Sequence, residues 1–196
     1  MRRIALLGAG SWGTALAIAL ARQGHEINLW GHDKEHLSRI AGTGKNEDFL
    51  PGILLPRGIH VTPSLEDAML DVDFVLVVVP SHAFRDVITQ AKAFWHQGLN
   101  LLFATKGIEN HSGQLLHRVA EDVFRDFTPA IAMLAGPSFA GEVARGLPTA
   151  VVVAGNDSAF IEAVRQAFHQ STFRVYTNDD LIGLQLAGTV KNVLAI

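Results

Sequence analysis

Cysteine is absent from the 196 residues. That excludes disulfides, zinc held by thiolates and thiol catalysis, and it fits a reducing, cytoplasmic setting. An excess of positive charge is also missing: 16 Lys and Arg stand against 19 Asp and Glu, with a sequence pI near 6.3. The chain therefore carries neither the basic footprint of a nucleic-acid binder nor a polybasic membrane patch. No apolar run reaches the ~20 residues that a membrane-inserted helix requires. Met1-Arg2-Arg3 followed by Ile4-Ala5-Leu6-Leu7, with Ala19-Leu20-Ala21 further on, has the outline of a secretory signal. Glycines at 8, 10 and 13 interrupt it, and their spacing has a reading of its own. Internal repeats, linkers and low-complexity tracts are lacking as well. What is abundant is apolar: 48% of residues are hydrophobic and mean hydropathy is +0.23. That suffices for a packed core in one domain, or one domain with a short extension.

Short β-branched runs alternate with helical stretches. Strands are expected at Arg3–Leu7, Glu26–Trp30, His60–Thr62, Phe74–Val79, Leu99–Ala104, Ala130–Ala135, Ala150–Ala154 and Phe173–Tyr176. Phe74–Val79 is apolar without alternation, as a central parallel strand covered on both faces requires. Helices are expected over Trp12–Gln23, Lys34–Ile40 behind an Asp33 cap, and Ser64–Leu70 with capping-box spacing. Further helices are expected from Pro80 to Trp95, over Gly113–Arg125 and Ser158–Phe168, and from Asp179 or Asp180 onward. Gly42–Arg57 reads as a long loop punctuated by Gly42, Gly44, Pro51-Gly52 and Pro56. Repeated strand–helix units of this length predict an α/β fold with a doubly wound, mostly parallel sheet.

Gly8, Gly10 and Gly13 follow the first strand and open the first helix. In a dinucleotide-binding turn the first glycine permits the bend. The second lets the backbone approach a pyrophosphate on the helix N-terminus, and the third allows close helix–strand packing. The end of the second strand selects between NAD and NADP, because a carboxylate there binds the ribose 2′-OH and repels a 2′-phosphate. His32 holds that position and Asp33 follows it, a pattern that favours NADP or dual use with NAD. His32-Asp33-Lys34-Glu35-His36 also fits an H-x-x-E-H zinc pattern. It starts at a strand end, inside a better-explained unit, so no metal is expected.

Ligands of open α/β sheets bind beyond the carboxyl ends of strands. Pro80-Ser81-His82, Thr105-Lys106-Gly107-Ile108-Glu109 and Ala135-Gly136-Pro137-Ser138-Phe139-Ala140-Gly141 each follow such an end. Lys106 is placed to meet an anion, or it is a solvated strand-end lysine. Gly136 to Ser138 offers backbone N–H groups and a hydroxyl before a helix, suited to a phosphate or carbonyl oxygen, or to a simple turn and cap. Gly136-Pro137-Ser138-Phe139-Ala140 narrowly misses the G-x-S-x-G of hydrolases. Lys191 and Asn192 sit in an apolar helical run, where an ammonium group calls for a carboxylate partner or a chemical task.

Taken together these segments resemble the bacterial-type NAD(P)-dependent glycerol-3-phosphate dehydrogenases. The resemblance rests on Gly8-Ala9-Gly10-Ser11-Trp12-Gly13-Thr14-Ala15, Asn46-Glu47-Asp48-Phe49-Leu50-Pro51-Gly52 and Val79-Pro80-Ser81. It continues through Ala104-Thr105-Lys106-Gly107-Ile108-Glu109, Leu134-Ala135-Gly136-Pro137-Ser138-Phe139-Ala140 and Gly188-Thr189-Val190-Lys191-Asn192-Val193, in order along the chain. It implies a Rossmann-type fold and interconversion of dihydroxyacetone phosphate and sn-glycerol 3-phosphate, a small phosphate ester, for glycerophospholipid synthesis. By the same resemblance Ser11, Trp12 and His32 contact the dinucleotide, and Ala140 lies against it. Lys106 touches cofactor and substrate, Gly136 and Ser138 hold substrate, and Lys191 exchanges the proton on the substrate oxygen. Burial near Lys106 would bring Lys191 down toward a useful pKa.

Gln185 and Ala187 depart from the family's Glu-Leu-Gly-Gly-like run, which puts the partner of Lys191 in question. The family also has a helical C-terminal domain that closes the cleft and forms much of a homodimer interface. On this reading residues 1–180 are the dinucleotide-binding domain, and 181–196 open the first helix of a truncated substrate domain. Cofactor binding is expected to survive, with little or no turnover. Two rivals share the fingerprint. One is a 3-hydroxyacid or ketopantoate-type reductase, distinguishable by carboxylate substrates; the other is a non-catalytic dinucleotide-binding regulatory domain.

Overall fold

Ile4, Ala5, Leu6 and Leu7 are all fully buried, so the first strand is covered on both faces and cannot lie at an edge. The computed structural model describes residues 1–194, with side chains as far as Val190. Its strands are β1 (Arg3–Leu7), β2 (Glu26–Trp30), β3 (Ile59–Thr62), β4 (Phe74–Val77), β5 (Asn100–Phe103), β6 (Ile131–Ala135), β7 (Thr149–Gly155) and β8 (Phe173–Asn178). They form one sheet in the order β3-β2-β1-β4-β5-β6-β7-β8. All neighbours pair in parallel except β6 and β7.

Alternation along each strand separates two cores. Ile4 and Leu6 of β1 and Phe74 and Leu76 of β4 face one side. That side is covered by α1 (Ser11–Ala21), α2 (Lys34–Thr43), α6 (Ala140–Arg145) and α7 (Ser158–Phe168). Ala5, Leu7, Val75 and Val77 face the other side. There α3 (Leu65–Met69), α4 (Ser81–Ala91), α5 (Leu116–Val123) and α8 (Leu181–Leu194) pack. Helix starts follow side-chain caps: Asp33, Ser64 and Asp157 accept from the N–H groups of His36, Asp67 and Phe160 at 3.0, 3.1 and 2.7 Å.

The doubly wound sheet agrees with the expectation, and several bounds differ. α2 runs on to Thr43, so the loop starts later than Gly42. A glycine inside a helix costs only about 1 kcal/mol relative to alanine. The Thr43 hydroxyl also donates to the Arg39 carbonyl at 2.8 Å, and the Gly44 N–H to that of Ile40 at 2.8 Å. β4 ends at Val77 and β5 at Phe103, each short of the expected apolar run. α5 begins at Leu116 rather than near Gly113, because residues 109–114 close a turn in which the Gly113 N–H donates to the Glu109 carbonyl at 2.9 Å. The antiparallel β7 has a geometric origin. The six-residue α6 spans about 9 Å, whereas five residues of strand rise about 17 Å. The chain thus re-enters the sheet from the end at which β6 left it.

His25 and His117 are buried. His25 Nδ1 accepts from the Arg2 N–H at 3.1 Å, and Nε2 lies 3.1 Å from the Ala167 carbonyl. Those partners assign the neutral Nε2–H tautomer. Burial lowers the His25 pKa, against the raising effect of the Ala167 carbonyl. A histidine kept neutral in the fold and free to charge when unfolded makes the unfolded state bind more protons. Stability therefore falls as pH drops below about 6.5, the ordinary histidine value. Urea midpoints of the unaltered chain should fall between pH 7.5 and 5.5 by more than those of His25→Gln. Equal falls in both would refute this account.

Candidate functional site

The sheet order reverses between β1 and β4, so the segments leaving their carboxyl ends turn to opposite faces, α1 to one and α4 to the other, and leave a crevice. Its floor is the turn from Gly8 to Gly13. Gly8 has φ +130°, and a Cβ on it would lie 2.3 Å from the Val78 carbonyl oxygen. A Cβ on Gly13 would lie 1.8 Å from the Gly8 carbonyl oxygen. A Cβ on Gly10 would meet nothing within 4 Å, so that edge of the turn is open. Ser11, Trp12 and Gly13 open α1, and their N–H groups have no helical partner one turn back. A cleft of about 740 Å³ rises from this floor. Gly10, Trp30, His32, Phe49 and Val79 are among the residues that line it.

His32, His36 and His82 line the cleft, as do Asp33 and Asp86, while no Lys or Arg is among its described lining residues. Asp33 is occupied as the cap of α2, and the His36 N–H holds its carboxyl below the ordinary range. The Ser11 hydroxyl donates to the Phe49 carbonyl, which leaves its lone pairs and backbone N–H for a ligand. These features fit a dinucleotide: a glycine cradle that a Cβ would fill, a helix N-terminus, and the His32 imidazole just after β2.

Lys106 follows β5. Its stem passes α8, where a Cβ on Gly188 would lie 3.7 Å from Lys106 Cγ. Thr105 before it donates to the Val79 carbonyl at 2.8 Å, tying this loop to the one after β4. Gly136 is accounted for by packing, since a Cβ there would lie 2.8 Å from the Ala150 carbonyl oxygen of β7. The Ser138 N–H donates to the Gly136 carbonyl at 3.0 Å, so that amide is engaged within the turn. The enclosed Ser138 Oγ and Trp12 Nε1 find no hydrogen-bond partner among the described residues. Two enclosed polar atoms left open in segments singled out from the sequence fit a ligand that completes them. Ala140 opens α6, half-buried against the core that holds α1. Lys191 lies one turn beyond Gly188 on α8; its side chain, and those of Asn192 and beyond, fall outside the described residues.

Three polar connections were not legible as functional signals. Asn46 is enclosed between α1 and α2. Arg85 of α4 grips Glu109 at 2.6 and 3.0 Å and Asp122 at 2.7 Å. The Ser112 hydroxyl also donates to Glu109. The hydrogen-bonded Arg85 guanidinium, more than the Ser112 hydroxyl, holds the Glu109 carboxyl below its ordinary range. Gln185 presents its carbonyl to the His117 N–H at 3.2 Å and its amide to His117 Nδ1 at 2.7 Å. The glutamine that replaces an expected glutamate thus fastens α8 to α5. A second depression of about 610 Å³ lies at the opposite end of the sheet, where β7 and β8 finish, lined in part by Asp157, Glu162 and Asp179. Its lining includes none of the candidate cofactor or substrate residues.

The strand order and the glycine turn at its reversal define a doubly wound, Rossmann-type α/β domain. Residues 3–161 match the family described as NAD-dependent glycerol-3-phosphate dehydrogenase N-terminus, and the chain belongs to that family. It is 49% identical to a glycerol-3-phosphate dehydrogenase [NAD(P)+] of Xanthomonas euvesicatoria, over 99% of this chain and 57% of that protein. It is 50% identical to one of a Shewanella species, over 98% of this chain and 57% of that protein. The crystal structure of glycerol-3-phosphate dehydrogenase from Coxiella burnetii superposes with a TM-score of 0.95 at 41% identity, over 99% of this chain and 59% of that one. The chain therefore spans somewhat more than half the length of the relatives it matches.

Proposed function

We propose that this chain is the cofactor-binding part of an enzyme that interconverts dihydroxyacetone phosphate and sn-glycerol 3-phosphate, using NADP or NAD. The observation that carries the reading is the open edge of the glycine turn at the sheet's reversal, flanked by His32, with the neighbouring Asp33 carboxylate taken up as the cap of α2. Gly8, Gly10 and Gly13 admit the pyrophosphate, with Ser11 and Trp12 at the helix N-terminus beside it. His32 accepts a ribose 2′-phosphate, and Ala140 packs against the cofactor. When bound, the reduced nicotinamide supplies the hydride that reaches the ketone carbon.

The chain's own residues handle the substrate. Lys106 offers its ammonium to the anionic ester. The backbone at Gly136 and the Ser138 hydroxyl orient it, and Lys191 delivers a proton to the oxygen on which negative charge grows. In the reverse direction Lys191 takes that proton back. Residues 1–180 constitute the dinucleotide domain, and 181–196 lead into a helical substrate domain that closes the cleft and supports a homodimer. The setting is the cytoplasm, where the product feeds glycerophospholipid synthesis. No described helix is long and apolar enough to cross a membrane. Given the share of its relatives that the chain spans, turnover by the chain alone is expected to be weak.

The test is titration with NADPH and NADH, following the fluorescence of Trp12 and Trp30, with and without dihydroxyacetone phosphate. Saturable quenching, tighter with NADPH and tightened further by dihydroxyacetone phosphate, is the expected result. A folded chain, shown by a cooperative melt, that binds neither dinucleotide would refute the reading.

A further inference from the structure

The segment between α2 and β3 has no helix or strand, yet Asn46 within it is only 1% exposed. Its amide nitrogen donates to the Ala9 carbonyl at 2.9 Å and to the Thr14 hydroxyl oxygen at 2.7 Å. Its oxygen lies 2.8 Å from His36 Nε2, which donates in the tautomer that this network assigns. Both amide protons and the carbonyl are thus engaged, on the glycine turn, α1 and α2. Three residues on, the Phe49 carbonyl accepts from the Ser11 hydroxyl, and the Phe49 ring meets the His36 ring edge-on at 5.0 Å. The segment is braced from behind. The Leu50 N–H donates to the Asn46 carbonyl at 2.7 Å, the Leu55 N–H to the Gly44 carbonyl at 2.8 Å, and the Leu50 side chain is buried in the core.

The Ala9 carbonyl shares one planar peptide with the Gly10 N–H. In a trans peptide these two groups point in opposite directions, so fixing one aims the other. Every peptide bond described here is trans. We propose that Asn46 is a positioning residue for the dinucleotide pyrophosphate, which by gripping the Ala9 carbonyl aims the Gly10 N–H out of the turn toward the phosphates. The proposal rests on the dinucleotide reading above. Asparagine suits the task because it donates twice and accepts once without charge. An aspartate would turn lone pairs toward the Ala9 carbonyl and set a negative charge behind the phosphates. His36 keeps the amide from rotating, since its Nε2–H requires the oxygen to face it.

The test compares two ligands on the chain as it stands: NADPH, which has the pyrophosphate, and adenosine 2′-monophosphate, which lacks it. Asn46→Ala and the near-isosteric Asn46→Asp should weaken NADPH at least 10-fold and leave adenosine 2′-monophosphate within 2-fold. Leu50→Ala loosens the same segment without touching Ala9. It should lower the melting temperature at least as far as Asn46→Ala while weakening NADPH less. A folded Asn46 variant with unaltered NADPH affinity would overturn the proposal, as would an equal loss for both ligands, or a Leu50→Ala loss as large as that of Asn46→Ala. If the unaltered chain bound adenosine 2′-monophosphate but not NADPH, the dinucleotide reading would fail, and this one with it.

Discussion

Gly13→Ala is expected to lower stability by about 3 kcal/mol and to abolish measurable dinucleotide binding. The added methyl would sit 1.8 Å from the Gly8 carbonyl oxygen, 3.0 Å from the carbon behind it and 3.2 Å from a Leu6 methyl. Two of those three atoms are backbone, so no rotamer change relieves the clash. Either α1 slides along β1 or the turn opens, and both displace the Gly10 edge. Gly10→Ala is the informative contrast. Its methyl meets nothing within 4 Å, and its φ of −77° suits any residue. Stability should stay within about 0.5 kcal/mol, while NADPH binding weakens because the methyl occupies the approach to the turn. Thermal melts and NADPH titrations of the two variants separate these effects. A Gly13→Ala chain that melts and binds like the original would show that the helix–strand contact is slack.

Arg85→Ala is the second large effect, expected to cost about 2 kcal/mol. Removing the guanidinium leaves the Glu109 carboxylate, 8% exposed, with Ser112 as its remaining side-chain partner. Losing one member of a buried pair strands the other, and breaking such pairs costs about 3–5 kcal/mol. The Arg85 side chain is 35% exposed, so solvent softens the loss. Arg125, by contrast, is 71% exposed and pairs one turn from Asp122; its removal should change little. Because Glu109 lies three residues after Lys106, Arg85→Ala should also loosen the loop that presents that lysine. Any effect of dihydroxyacetone phosphate on NADPH affinity should shrink in this variant.

The pH dependence follows from Glu109. Its folded-state pKa is lowered, chiefly by Arg85, so the pair's contribution is fully present above the ordinary carboxylate value of about 4.3. It disappears as pH falls through the lowered folded value. The difference in stability between the unaltered chain and Glu109→Gln should therefore be constant from pH 7 to about 5 and narrow below that. A difference that widened on acidification would contradict the assignment.

Much of this molecule is readable from local pattern. The central strand stands out because parallel strands under helices on both faces need apolar residues without alternation, as Phe74 to Val77 supply. The floor of the cleft is equally legible, since a turn that passes a carbonyl oxygen within 2.3 Å of where a Cβ would stand admits only glycine. Caps at Asp33 and Ser64 announce their helices because an Ncap oxygen acts on a backbone N–H three residues away.

What escaped depended on contacts between residues far apart in sequence. Nothing near Asn46 announces that Ala9 and Thr14, more than thirty positions earlier, take both its amide protons. Arg85 and Glu109 stand 24 positions apart, and only the fold sets them within 2.6 Å. Gln185 reads as a missing carboxylate until α8 lays it against His117. The sequence by itself determined the α/β class, the glycine turn and the residues to look for, because backbone sterics, strand period and capping act within a few residues. Only the tertiary structure decided that β7 turns antiparallel, that Gly136 is demanded by a neighbouring strand, and that Asn46 stands behind the turn. Those depend on how far apart packed elements come to rest, a distance that no local pattern encodes.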